Sequence, residues 1–267
     1  MIKSVATNEE LDLGRVGRCI YCGATESLQD EHPIPFGLAG RHVLHDASCA
    51  TCAAKTSRWE RLVLRGSLLP FRTILGMPTR RPSDRPTSFP ARVKRDGVWA
   101  DEDLPLTRFT AVAPFPKLPP PGAIAGRPLS STFRVTGWLG ITVISNDGSE
   151  PHPARRAGVE AIETAIPTYP APFMRMLAKI GWCYTVAKYG LDAVDPTVLG
   201  VILGTDHNVA HWVGCPEPGW TLFDGPPTAE FHICVAEVQD GWLLSGIRLF
   251  GPQGGPEYHV VIGRLAS

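Results

Sequence analysis

Residues 19–52 read CIYCGATESLQDEHPIPFGLAGRHVLHDASCATC. Cys19 and Cys22 form one C-x2-C pair, and Cys49 and Cys52 form a second. Four soft thiolates in two closely spaced pairs satisfy one tetrahedral zinc, each pair presented by a tight turn. Gly23, directly after Cys22, is the small residue such a turn needs. Four thiolates leave no open coordination position, so the Zn2+ expected here is structural. The segment between the pairs is then a loop clamped by metal at both ends. It carries Asp30, Glu31 and His32 in succession.

The rest of the composition sets the surroundings of that loop. The chain has 267 residues, 26 Lys and Arg against 26 Asp and Glu, and 43% hydrophobic residues. This suits one large domain or two modest ones. No apolar run reaches the ~18 residues of a membrane span, and the first residues, MIKSVATNEELDLG, hold no signal-peptide core. A cytoplasmic, reducing location is expected, where C-x2-C pairs serve as metal ligands rather than disulfides. Cys183, Cys215 and Cys234 are then expected to be reduced and mostly buried. Charge is uneven: residues 1–95 hold 15 Lys and Arg against 9 Asp and Glu, which hints at a polyanion-facing N-terminal part.

Arginine recurs from Arg58 to Arg95, and Pro78, Pro82, Pro86 and Pro90 exclude one continuous helix there. An extended arm with spaced cations is expected. Prolines crowd the stretch from Pro105 to Pro128, which reads as a semi-rigid connection. The expected division is therefore a zinc-clamped domain with a basic arm at 1–100, a linker at 101–128, and a second domain at 129–267. In the second domain, alternation over 131–145 predicts a strand or hairpin. Phe173, Met176, Leu177, Ile180, Tyr184 and Ala187 recur at helical spacing, and Gly190 supplies the stop. A short helix is expected to start after the Asp195-Pro196 pair and run through Leu199 to Leu203, with strands at 210–213, 231–238, 241–250 and 258–265. The fold class expected for this half is α+β, one main helix on an antiparallel sheet.

Three strings resemble an HNH endonuclease of the zinc-clamped kind: Cys19-Ile-Tyr-Cys-Gly, then Leu28-Gln-Asp-Glu-His-Pro-Ile-Pro-Phe-Gly-Leu-Ala-Gly40, then Ala47-Ser-Cys-Ala-Thr-Cys52. The resemblance covers residues 17–66. It implies a ββα-metal domain, a hairpin followed by a helix, with His32 as general base and Glu31 as ligand to a divalent ion. The chemistry agrees. Phosphodiester hydrolysis needs an activated water and charge neutralisation at phosphate, tasks suited to an imidazole and to a carboxylate-held Mg2+ or similar ion. On a regular strand Asp30 and His32 would share one face and Glu31 the other, so a twist or bulge is expected there. Pro33 holds His32 extended, consistent with a strand end.

One position departs from the family pattern. The residue after the fourth cysteine, often a His or Asn ligand in these enzymes, is Ala53. Glu60, seven residues further along the expected helix, and His45 are the candidates to complete the site; Thr56 and Ser57 share the helix face. The implied function is metal-dependent hydrolysis of nucleic acid, with DNA ahead of RNA as partner. Arg58, Arg61, Arg65 and Arg72 are the expected backbone contacts. The alternative is a catalytically inactive, zinc-stabilised nucleic-acid-binding or protein-interaction module.

Overall fold

The computed structural model describes residues 11–144, 158–226, 229–238 and 241–266. The zinc-frame sequence forms strands β1 (Leu11–Arg15), β2 (Leu28–Glu31) and β3 (His42–Cys49), followed by helix α1 (Ala50–Leu62). β3 lies between the other two strands, parallel to β1 and antiparallel to β2. The expected irregularity is present. Gln29 faces Ser48 but Glu31 faces Leu44, so β3 bulges opposite Asp30, and Asp46 there has φ +48°. A π-type turn (Val63–Ser67) then leads into α2 (Leu69–Ile74), with Pro70 in its first turn, where its missing N–H does no harm.

The arginine-rich stretch is not a free arm. From Ser88 it forms β4 (Ser88–Arg95), paired with β5 (Val98–Pro105) and with β8 (Ala161–Glu163). Arg92 pairs with Asp101 and Glu163, and Arg95 with Glu102. Cross-strand carboxylates thus claim these cations.

The expected linker 101–128 holds the end of β5 and all of β6 (Thr110–Lys117), which pairs with β7 (Gly137–Ile144). Ala111, Ala113 and Phe115 alternate inward and are fully buried. Pro114 and Pro116 sit in this two-stranded ribbon, where no second neighbour needs their N–H. The period-two apolar pattern outweighs the proline count.

Helix α3 (Pro170–Tyr189) is the spine of the molecule, ended at Gly190 with φ +85°. Every side chain from Phe173 to Val186 along it is buried, charged ones included. One flank packs on α1, and the other on a sheet of β10 (Val213–Gly214), β11 (Phe231–Glu237), β12 (Trp242–Leu249) and β13 (Glu257–Leu265) in the order β10-β13-β12-β11. A short β9 (Val194–Pro196) also pairs with β13, and α4 (Leu199–Leu203) covers α3. The 210–213 run, expected as a strand, instead forms α5 (Val209–Trp212) before β10. Asp206 explains the difference: its carboxylate accepts from Asn208 N at 2.7 Å and Trp212 Nε1 at 3.1 Å, tightening a turn.

The buried side chains form one continuous core, from Cys19 and Ile20 at the cysteine frame to Val260 and Ile262 in β13. That core runs across the expected boundary at 101–128, because α3 serves both sides. Trp182 shows the coupling. It is fully buried, and its indole donates to the Ile20 carbonyl at 2.9 Å. Trp182→Ala should therefore destabilise the whole chain by about 3–5 kcal/mol, as expected for a large buried aromatic. Urea unfolding should show one transition displaced as a unit; loss confined to the C-terminal sheet would contradict the shared core.

Candidate metal centre and the buried charge cluster behind it

The first centre is built by two turns. The Cys19 carbonyl accepts from Gly23 N at 2.9 Å, and the Cys19 N–H donates to Ala24 O at 2.7 Å. This folds the knuckle with Gly23 at φ +77°. Cys49 ends β3 and is the N-cap of α1, and Cys52 lies in the first helical turn. The four sulfurs all lie within 4.8 Å of one another, and Cys22 Sγ is 3.7 Å from Cys49 Sγ. A tetrahedron with metal–sulfur bonds near 2.3 Å has edges of about 3.8 Å, so the arrangement could hold an ion such as zinc. Burial raises the Cys19 and Cys52 thiols, whereas the Cys52 backbone N–H lowers Cys49 to about 7. A divalent cation would offset the cost of burying the thiolates. Among the described residues this is the one group of such side chains close enough to bind metal together.

The second feature lies behind the hairpin. Glu31, at the end of β2, and Glu60, on α1, both point at the ammonium of Lys179 on α3. Lys179 Nζ is 2.7 Å from Glu31 Oε1, 2.6 Å from Glu60 Oε1 and 2.5 Å from the His32 carbonyl oxygen. An ammonium has three hydrogens, and all three have acceptors. Glu31 Oε2 also accepts from the Tyr21 hydroxyl at 3.1 Å, and that hydroxyl lies 3.7 Å from Cys183 Sγ. The Lys179 side chain is 3% exposed and that of Glu31 8%. Burial alone would pull the lysine pKa down, but attraction to Glu31 and then Glu60 raises it above its ordinary value and keeps it charged.

The bulge thus brings some of the expected residues together and separates others. Glu31 and Glu60 meet at Lys179, and His32 reaches it through its backbone carbonyl. The His32 ring is half-buried, and its Nδ1 is buried without a hydrogen-bond partner. His45 does not join them. It sits on the opposite face of the hairpin, 3.1 Å from Asp30 and 3.6 Å from Asp12. The Asp30 carboxyl is held below its ordinary value by the Asp46 backbone N–H and by His45, against an opposing effect of burial. Ala53 offers no ligand atom, and the neighbouring Thr56 and Ser57 hydroxyls donate to the Ala53 and Ala54 carbonyls.

The arginines divide as well. Arg58, Arg61 and Arg65 are exposed on α1 and the turn after it, and Arg58 stacks over Trp59. Arg72 is committed to the fold. Its guanidinium donates to the carbonyls of Gly37, Leu64 and Pro78, bracing the turn that follows His32. Lys179 was the residue missed by sequence reading. It lies 147 positions beyond His32, inside a run that reads as an apolar helix. A lysine on the buried face of such a helix was the available signal.

Comparison with known proteins finds no matching family model, curated protein or solved structure. No helix among the described residues is long and apolar enough to cross a membrane.

Two outcomes are expected. Elemental analysis should find one zinc per chain, and Cys49→Ser should lose it together with the folded state, since such sites supply about 10–16 kcal/mol. Lys179→Met should cost about 3–5 kcal/mol in urea unfolding, because it leaves two carboxylates buried without a counter-charge. Adding Glu60→Gln to that variant should recover part of the loss. A neutral effect of Lys179→Met would show that the ion cluster is not formed.

Proposed function

We propose that the chain binds nucleic acid through a zinc-framed HNH-type ββα module and does not cleave it. The observation that carries the second clause is the Lys179 ammonium seated between Glu31 and Glu60. With the ammonium 2.7 and 2.6 Å from these carboxylates, a divalent ion could bridge them only by displacing Lys179. A lysine neutralises the carboxylates, but it cannot polarise a water or bind two phosphate oxygens as a metal does. Ala53, where the family places a ligand, agrees with this reading. Nucleic acid, with DNA ahead of RNA, is the partner favoured by the basic N-terminal third and by exposed Arg58, Arg61 and Arg65.

One specific observation favours a second reading, an active HNH endonuclease. Glu31 and Glu60 converge on Lys179, and the adjacent His32 has a buried Nδ1 with no hydrogen-bond partner. In that reading His32 is the general base, and Glu31 and Glu60 hold Mg2+ or another divalent ion after Lys179 withdraws. A third reading is a protein-interaction module in which the zinc segment is only structural.

Plasmid and oligonucleotide substrates with Mg2+, Mn2+ or Ni2+ separate the first two. No turnover is expected. Turnover abolished by His32→Ala would overturn the proposal in favour of the enzyme. Fluorescence anisotropy should show binding to duplex DNA that weakens with salt, with a log–log slope of roughly −0.9 per phosphate contacted. No binding at low salt would favour the protein-interaction module.

A further inference from the structure

Behind α1, the π-type turn, α2 and residues 77–86 enclose a cleft of about 320 Å3. Arg65, Arg72, Arg81 and Arg85 line it, with Asp84 as the one carboxylate among the lining residues. Asp84 reaches Arg81 only at 3.9 Å. Four guanidinium groups therefore share one weakly engaged counter-charge. Two of them are fixed in place. Arg72 is held by the carbonyls of Gly37, Leu64 and Pro78, and Arg85 donates to the Met77 carbonyl at 2.5 Å. Neutral carbonyls orient these cations without cancelling their charge. Burial, followed by repulsion from Arg85 and Arg65, lowers Arg72 to about 10, as expected where like charges are crowded. Thr73 and Thr79 add hydroxyls to the lining. Arg65 and Arg81 are exposed at the rim.

A concave site with fixed planar donors, exposed cations at the rim and a large excess of positive charge suits a tetrahedral oxyanion. We propose that this cleft is a phosphate-binding site that takes a backbone phosphate of the nucleic acid bound by the zinc-framed module. The source of the phosphate rests on the reading of function given above; the site itself does not. Arg72 joins the two regions, since it also holds the Gly37 carbonyl in the turn after His32.

The test uses the full chain and Arg65→Ala/Arg81→Ala, a double variant that leaves the braced Arg72 and Arg85 untouched. Arginine Nε–Hε NMR signals are titrated with inorganic phosphate, and a duplex oligonucleotide is titrated at several salt concentrations. In the wild type, phosphate should shift the signals of Arg72 and Arg85, and the double variant should weaken that binding at least fivefold. Its oligonucleotide salt slope should fall by roughly 1–2. Phosphate binding without oligonucleotide binding would uphold the anion site while removing nucleic acid as its source. No phosphate-induced shift, with an unchanged oligonucleotide slope in the double variant, would overturn the site while leaving nucleic-acid binding in place.

Discussion

An ammonium removed from water survives only where anions and carbonyls replace its hydration shell. Lys179 meets that requirement with one oxygen from each of three places: the end of β2, the residue after it, and the last turn of α1. The reverse also holds. Glu31 is buried at the hairpin end and depends on Lys179 and the Tyr21 hydroxyl for its partners. The hairpin, the helix that follows it and the spine helix α3 are thereby fixed to a single point. A mutual dependence of this kind sets position more than it adds stability, because the desolvation of three charges offsets much of their attraction.

The cysteine frame and the charge cluster act on the same elements from opposite sides. Cys49 and Cys52 set where α1 starts, which decides that Glu60 projects toward α3. The knuckle places Ile20 and Tyr21 between the frame and α3. Ile20 accepts from Trp182, and Tyr21 donates to Glu31. A metal in the frame would therefore order the neighbourhood of His32 without touching it. The bulge at Asp46 completes the arrangement by turning His45 and Asp30 outward as Glu31 turns in.

Much of this was legible in the sequence, and the failures have physical causes. The cysteine spacing, the helix ending at Gly190 and the strands β11 to β13 follow local rules of ligand geometry and periodicity. Glu60 was legible as an acidic residue on the helix face of Ala53, because seven residues are close to two turns. His45 was misjudged because strand alternation depends on register, and the bulge decides the register. Residues 101–128 were misread because prolines mask the alternation of Ala111, Ala113 and Phe115. Arg92 and Arg95 resembled free cations, yet cross-strand carboxylates claim them. Lys179 needed the tertiary fold, since nothing local links it to Glu31 or Glu60.

The proposed function turns on Lys179 occupying the space between Glu31 and Glu60 to the exclusion of a divalent ion. The most direct measurement is anomalous diffraction from crystals grown with zinc and soaked in Mn2+. The expected result is an anomalous peak at the zinc edge among Cys19, Cys22, Cys49 and Cys52, with Lys179 density between Glu31 and Glu60 and no manganese peak there. A manganese peak bridging Glu31 and Glu60, with Lys179 displaced, would contradict the account.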